Sequence, residues 1–248
     1  MIRAELGYWY GLGNQLFILA AAESFGKQTG RTFYIHNKRT PHNPHSSANY
    51  YDSIFKNFLP LSADPGQELT INEPGSQPYM DWPTIINTQA AHNIVISGYF
   101  QNWKYIEPTR DAFVERLSFN TDILKKYPDI SDCVFVHVRG KDYLKWGGFV
   151  DLKQYYEKCL SMIQDKIVVF TDDPEYAKKV LNRPFDCIAE NEVDSLYLMS
   201  KCKGCVCANS TFSWWGAYLN PNRQIFIPSK WNNDTSQYSF PGTTIVDV

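Results

Sequence analysis

The sequence predicts an α/β fold with parallel sheets, and two observations carry this prediction. From Cys133 onward, apolar segments of strand length alternate with helical segments, and each of those strands is apolar almost throughout. Continuous apolar strands that alternate with helices are typical of a parallel sheet covered on both faces. We therefore expect a Rossmann-like second half in this chain of 248 residues.

The first half is predicted to be less regular. It begins with a strand, a glycine-containing turn, a helix and a short strand, continues with a stretch rich in Pro, Asn, Ser and His, and ends with a buried strand and a helical segment. The Pro-rich stretch has no sustained periodicity, which indicates long loops with short elements that shape a ligand site. From the turn onward, these segments lie at residues 11–14, 15–26, 31–36, 37–92, 93–97 and up to about 117.

The second half contains five predicted strands and four predicted helices. Asp173 followed by Pro174 is a favourable helix start, with a carboxylate at the N-cap and proline in the first turn. The strands are expected at residues 133–138, 166–170, 185–189, 204–208 and 223–228, and the helices near 151–164, 174–182, 192–202 and 212–219.

Two domains are expected, at residues 1–118 and 119–231, followed by a C-terminal tail at 232–248 that packs back on the first domain. The formal charge of -2 and the pI near 6.2 disfavour binding to nucleic acid or to an anionic membrane. The longest apolar runs have strand length, and the first residues lack the features of a signal peptide. These observations predict a soluble, cytoplasmic protein without an integral membrane segment.

Of the six cysteines, Cys202, Cys205 and Cys207 crowd into six residues, which argues against a disulfide framework. A zinc site is one reading of this cluster. Small core residues are the preferred reading, because alternate side chains of an apolar strand share one buried face. The sequence contains no D-x-D pair, so no metal site and no metal cofactor are predicted.

Polar side chains follow three of the predicted strands, where ligands of open parallel sheets bind. A glycine turn at residues 11–14 offers backbone N–H groups to a diphosphate, or is a plain tight turn. The alternative for Asp173 and Ser210 is that each serves only as a helix cap. The residues that follow the strands are Arg139, Lys141 and Asp142, then Thr171, Asp172 and Asp173, then Asn209, Ser210 and Thr211.

Five segments resemble the glycosyltransferase family whose members are α-1,2-fucosyltransferases, glycosyltransferase family 11. The last of them is the most specific, whereas HVRGKDYL departs from the family's usual H-x-R-R-x-D at Gly140 and Lys141. The segments are GLGNQLFILAAA (11–22), SGYFQNWKYI (97–106), HVRGKDYL (137–144), FTDDPEYAKKVL (170–181) and DSLYLMSKCKGCVCANSTFSWWGAYLNP (194–221).

The resemblance implies a GT-B-like architecture, with two Rossmann-like domains facing each other across a cleft. The first would be the acceptor side and the second would bind the GDP-sugar. It further implies an inverting, metal-independent transfer of L-fucose from GDP-fucose to a glycan acceptor, with GDP-fucose as a substrate and no separate cofactor.

The resemblance also implies roles for individual residues. Arg139 would contact the β-phosphate, His137 and Asp194 would lie at the guanosine, and Asp172 would support the donor site. Asn14 would approach the diphosphate from the first domain. The loop over the pyrophosphate would be formed by Ser210, Thr211 and Phe212.

This chemistry suits the residues present. When GDP departs without a metal, the charge that grows on the β-phosphate needs a fixed guanidinium, and Arg139 fits unless it serves only a structural ion pair. Asp142 is the candidate general base for the acceptor hydroxyl, or else it orients Arg139. Lys141 is expected to return a positive charge to the diphosphate, or to be a solvated loop lysine.

Two other functions stay open. The altered motif is compatible with a catalytically inactive module that binds a GDP-sugar or a glycan. A GT-B enzyme that uses another GDP-sugar or makes another linkage is the second. The linkage implied by the resemblance is to O-2 of a terminal galactose-type sugar, whereas the acceptor's identity depends on residues 37–92, where the motifs are silent.

Overall fold

In a computed structural model, the chain forms two compact units, Met1–Ser118 and Phe119–Val248. Each unit contains one sheet, and every strand pairing in both sheets is parallel. The prediction of an α/β fold with parallel sheets is therefore confirmed. The structure describes residues 1–6, 10–36, 50–58, 60–61, 66–73, 79–89, 92–145, 149–231 and 238–248.

The sheet of the first unit has the strand order β3-β2-β1-β5-β4. The long helix α1 is buried along most of its length, because its apolar residues face the sheet on one side and other helices on the other. Gly26 allows this close approach, since a Cβ there would lie 2.8 Å from Ile2 Cγ2. The elements are β1 (Ile2–Ala4), α1 (Leu12–Gln28), β2 (Phe33–His36), β3 (Pro60–Leu61), β4 (Glu68–Asn72), α2 (Trp82–Asn87), β5 (Asn93–Ser97), α3 (Trp103–Ile106) and α4 (Arg110–Arg116).

The sheet of the second unit has the order β11-β10-β9-β6-β7-β8, and β6, whose five residues are all buried, lies inside the sheet. Short 3-10 helices occupy Ile130–Asp132 and Lys141–Lys145. The other elements are α5 (Ile123–Lys126), β6 (Val134–Val138), α6 (Lys153–Ser161), β7 (Ile167–Thr171), α7 (Pro174–Val180), β8 (Asp186–Ile188), α8 (Glu192–Lys201), β9 (Gly204–Val206), α9 (Thr211–Tyr218), β10 (Gln224–Pro228) and β11 (Thr243–Val246).

The C-terminal segment corrects one expectation. The tail was expected to pack back on the first domain, but β11 pairs with β10 along its whole length and extends the second sheet. Lys158 of α6, in the same unit, also donates from Nζ to the Asp247 carbonyl at 3.0 Å, which holds the end of the chain against this unit. Backbone hydrogen bonds of an open sheet edge explain this placement, because β10 would otherwise present unpaired groups there.

The three clustered cysteines are core residues, as the preferred reading of the sequence predicted. Cys202, Cys205 and Cys207 are free thiols, and each is fully buried. Trp214 and Trp215 of α9 are also fully buried and belong to the same core.

Candidate functional site

Loops that follow β6, β7 and β9 meet at the carboxyl edge of the second sheet. β6 pairs with β7 on one side and with β9 on the other, and all three run in parallel. The chain segments after these strands carry Arg139, Asp172 and Ser210. The order of strands therefore brings together three of the segments on which the sequence placed a site.

Arg139 lies between two carboxylates. Its Nη1 is 2.8 Å from Asp172 Oδ2, and its Nη2 donates to Oδ1 and Oδ2 of Asp142 at 2.7 and 3.0 Å. The Arg139 side chain is 32% exposed, whereas that of Asp142 is 71% exposed. The guanidinium is thus held in a defined orientation with part of its surface open, and its more exposed partner is the one that solvent or a ligand replaces more readily.

Asp172 and Asp173 fix the backbone that follows Arg139. The Gly140 N–H donates to Asp172 Oδ1 at 2.7 Å, and the Lys141 N–H reaches Asp173 Oδ2 at 3.4 Å. Gly140 is buried against Asp173 so closely that a Cβ would lie 2.3 Å from the Asp173 Cβ. Lys141 has a φ of 42°, the left-handed region that non-glycine residues seldom adopt. The altered motif therefore has a tightly specified conformation of its own.

His137 occupies the interior directly beneath this loop. Its side chain is buried, and its ring centroid lies 5.8 Å from that of Phe212 at the start of α9. Burial, with a smaller contribution from the Arg139 charge, lowers the pKa of His137 from 6.5 to about 3. The imidazole is therefore neutral at physiological pH. Its buried Nδ1 makes no hydrogen bond to the described residues.

Ser210 caps α9, and its hydroxyl accepts from the Phe212 N–H at 3.4 Å. Thr211 and Phe212 form the first turn of the helix and are half-buried. Asn209 lies beside them and is 7% exposed; its Nδ2 donates to the Trp231 carbonyl at 2.9 Å and contacts the Tyr143 hydroxyl. Asn209 thereby links this turn to the Lys141–Lys145 segment, a connection that the sequence did not reveal.

Asp194 lies on a different element, the first turn of α8. Its carboxylate accepts from Asn191 Nδ2 at 2.6 Å, and its N–H donates to Asn191 Oδ1 at 2.9 Å. These contacts form a helix cap after the edge strand β8. Asp194 has no contact with the Arg139 cluster among the described residues, so the structure leaves its nucleotide role a prediction.

Asn14 belongs to the first unit, where it lies in the first turn of α1. Its Oδ1 accepts from Gln101 Nε2 at 2.8 Å, which joins the GLGN and SGYFQN segments. Sequence reasoning missed a neighbouring carboxylate, Glu73, whose Oε2 accepts from the N–H groups of Tyr99 and Phe100, both at 2.8 Å. Desolvation raises the pKa of Glu73, although both of these hydrogen bonds lower it.

Neither a metal cluster nor a membrane span occurs in the described ranges. These residues bring together no group of three or more His, Cys, Asp or Glu side chains that could hold a metal ion. None of the helices in the same part of the chain is long and apolar enough to cross a bilayer.

Two units, each with a parallel sheet and polar loops at its carboxyl edge, define an α/β protein of the GT-B type. Among solved structures, NodZ α-1,6-fucosyltransferase co-crystallised with GDP has a TM-score of 0.58 at 14% identity, covering 91% of this chain and 94% of that one. NodZ comes from Bradyrhizobium. The predicted fold class is confirmed.

Residues 62–239 match glycosyl transferase family 11, and the chain belongs to that family. It is 30% identical over 172 residues to the O-antigen biosynthesis glycosyltransferase WbnK of Escherichia coli, across 58% of this chain and 57% of that protein. It is 32% identical over 174 residues to an α-1,2-colitosyltransferase of Escherichia coli, across 59% of each. The matches thus span less than two thirds of either relative.

Proposed function

We propose that this protein is an inverting, metal-independent glycosyltransferase that moves L-fucose from GDP-fucose to O-2 of a terminal galactose-type sugar. The observation that carries the proposal is the placement of Arg139 at the carboxyl edge of the second sheet. Its guanidinium is oriented by Asp142 and Asp172 and keeps part of its surface open. Membership of glycosyl transferase family 11 supports the class of reaction.

In the proposed reaction, the acceptor oxygen bonds to C1 of fucose from the face opposite the leaving group. The bond between C1 and the β-phosphate oxygen breaks, and its electron pair leaves with GDP. Arg139 stabilises the negative charge that grows on the β-phosphate, because its planar donors match phosphate oxygens and stay charged. The proton of the acceptor hydroxyl passes to a carboxylate.

Other residues that the family resemblance indicates complete the proposed donor site. Ser210, Thr211 and Phe212 would cover the pyrophosphate, and His137 and Asp194 would lie at the guanosine. The contact between the His137 and Phe212 rings supports this grouping, since it joins the end of β6 to the start of α9. Asp172 would hold Arg139 in place, and Asn14 would approach the diphosphate from the first unit.

Asp142 is the proposed base, and its ion pair with Arg139 defines the competing role of an orienting residue. Both carboxylate oxygens contact the same guanidinium nitrogen. Asp142→Asn keeps the shape and one accepting oxygen but removes the charge that takes a proton. A base predicts reduced turnover with normal GDP affinity, whereas an orienting residue predicts loss of GDP affinity as well.

A second donor is favoured by one comparison. The relative that is 32% identical is named for the transfer of colitose. A colitosyl donor is therefore the alternative to GDP-fucose at the same site, and the mechanism with Arg139 is unchanged by this choice.

The decisive experiment incubates the full chain with labelled GDP-fucose or a colitosyl nucleotide donor and a panel of terminal galactosides, with and without excess EDTA. We expect transfer from GDP-fucose, full activity in EDTA and an α-linkage to O-2 by NMR of the product. Preference for the colitosyl donor would replace the donor assignment. Loss of turnover in EDTA that manganese restores would overturn the metal-free mechanism, and GDP binding without any turnover would identify an inactive binding module.

A further inference from the structure

The carboxyl edge of the first sheet carries an aromatic pair that the donor chemistry does not use. The rings of Tyr10 and Tyr99 lie with centroids 5.0 Å apart at an angle of 56°. Tyr99 is 49% exposed, a large fraction for a tyrosine in a well-packed unit. Both residues follow strand ends of the same parallel sheet, β1 and β5, so they lie where ligands of such sheets bind.

The backbone around Tyr99 is held in an unusual conformation by Glu73. Gly98 has a φ of 153°, and a Cβ there would lie 2.4 Å from the Glu73 Cβ. Phe100 has a φ of 49°, which is rare for a bulky side chain. Backbone strain of this kind is concentrated at functional sites, because the surroundings must stabilise it.

The two carboxylate oxygens of Glu73 have different surroundings. Oε2 accepts both N–H groups of the strained turn, at 2.8 Å each, while Oε1 accepts no hydrogen bond within the part of the chain that the structure describes. A fixed carboxylate with an open oxygen is a strong acceptor for a ligand hydroxyl, since charge-assisted hydrogen bonds are about twice as strong as neutral ones.

The electrostatic character of this edge distinguishes it from that of the second unit. The pKa of Tyr10 is raised, first by burial, then by Tyr99 and by the negative charges of Glu5 and Glu73. The negative charges of Glu5 and Glu73 disfavour an anionic group directly at the Tyr10 and Tyr99 rings, whereas Arg139 of the second unit attracts one. A neutral ligand rich in hydroxyls suits the first edge.

We propose that Tyr10, Tyr99 and Glu73 bind the galactose-type sugar of a neutral glycan acceptor, an inference that rests on the proposed function. The C–H face of the sugar ring would lie on the exposed Tyr99 ring, because the axial hydroxyl of galactose leaves its opposite face apolar. A sugar hydroxyl would donate to Glu73 Oε1.

The test measures binding of N-acetyllactosamine to the full chain by titration with NMR detection. Tyr99→Ala is expected to weaken disaccharide binding about tenfold, which corresponds to the energy of one good aromatic contact. Tyr99→Phe keeps the ring and is expected to bind as the wild type does. Tyr79→Ala is the matched control, because Tyr79 is 48% exposed but packs on Tyr105 outside the pair.

Glu73→Gln keeps an oxygen for the two backbone N–H groups and replaces the open oxygen by an amino group. It is expected to weaken disaccharide binding at least threefold, and a two-state melting transition verifies that the fold survives the weaker neutral hydrogen bonds to the backbone. In all of these variants the affinity for GDP should equal that of the wild type.

Equal disaccharide affinity in Tyr99→Ala and the wild type would overturn the proposal, as would an equal loss in Tyr79→Ala. The proposed function fails separately. If disaccharide binding depends on Tyr99 but the protein transfers neither fucose nor colitose, the acceptor site is supported and the proposed transferase activity is refuted. Transfer with an unchanged acceptor KM in Tyr99→Ala would retain the transfer and reject this site.

Discussion

Burial of His137 makes a quantitative prediction about stability at mildly acidic pH. The pKa of the buried imidazole is lowered from 6.5 to about 3 by desolvation and by the Arg139 charge. Between these two values the unfolded chain binds a proton that the folded chain excludes. Protonation therefore favours the unfolded state, and His137 lowers the free energy of unfolding as the pH falls below 6.5.

The size of the effect follows from the two pKa values. At pH 5.0 the ratio of protonated to neutral imidazole in the unfolded chain is about 30, while the folded imidazole remains neutral. The free energy of unfolding should then be lower than at pH 7.5 by about 2 kcal/mol. At pH 7.5 the contribution is close to zero, because His137 is neutral in both states.

Urea unfolding at pH 7.5 and 5.0 measures this effect when the wild type is compared with His137→Gln. Other groups also contribute to the pH dependence of both proteins; desolvation, for example, raises the pKa values of Glu23, Glu73 and Glu192. The difference between the two proteins cancels their contributions. We expect the wild type to lose about 2 kcal/mol more than His137→Gln, whereas Phe212→Leu, which retains the imidazole, should behave as the wild type does. Equal losses in wild type and His137→Gln would refute the argument.

Three further predictions concern the loop after β6. Arg139→Ala should lower transfer by about 10²-fold or more while the fold survives, as expected for a donor aimed at charge in the transition state. Lys141→Ala should weaken GDP-fucose binding about 5- to 30-fold at low ionic strength and less at high salt, because an ammonium acts on phosphate as a screened point charge. Gly140→Ala should cost about 1–3 kcal/mol in urea unfolding, since the added Cβ overlaps Asp173.

Two of these predictions have a matched control variant. Arg116 is 34% exposed and paired with Glu23, so Arg116→Ala removes a comparable ion pair and should leave transfer unchanged. A Cβ at Gly11 meets nothing within 4 Å, so Gly11→Ala should cost little stability. Normal turnover in Arg139→Ala would show that the ion pairs of Arg139 are only structural. Equal GDP affinities of the wild type and Lys141→Ala at low salt would show that Lys141 is a solvated loop residue. A Gly140→Ala protein as stable as the wild type would show that the loop relaxes freely.

The sequence predicted the interior strands well because a strand buried on both faces needs apolar residues at nearly every position. β6 and β7 are apolar at nearly every position, and both were expected within one residue of their observed bounds. The edge strands β4 and β11 were not predicted. Their residues are largely half-buried or exposed, so neither continuous apolarity nor a clear alternation marks them. Their place is decided by backbone pairing with β5 and β10, which sequence patterns do not reveal.

Sequence reasoning found the Arg139 segment because residues after parallel strands converge at one edge, a rule that needs only the order of the elements. It missed Glu73, which lies within residues 37–92, a stretch without recognisable motifs. The contact between Glu73 and the Tyr99 N–H spans 26 positions and depends on the pairing of β4 with β5. A contact of that kind has no signature in a single sequence.

The departure from the family's R-R pair follows from the contacts of Gly140. An arginine at this position needs a Cβ, and the Asp173 Cβ already occupies that space at 2.3 Å. In exchange, Asp172 and Asp173 accept the N–H groups of Gly140 and Lys141, and Lys141 takes the left-handed conformation that turns the chain. Restoring the second arginine without removing Asp173 would therefore displace the loop that positions Arg139. A variant intended to recover the second arginine in this protein must therefore alter the Asp173 side chain as well.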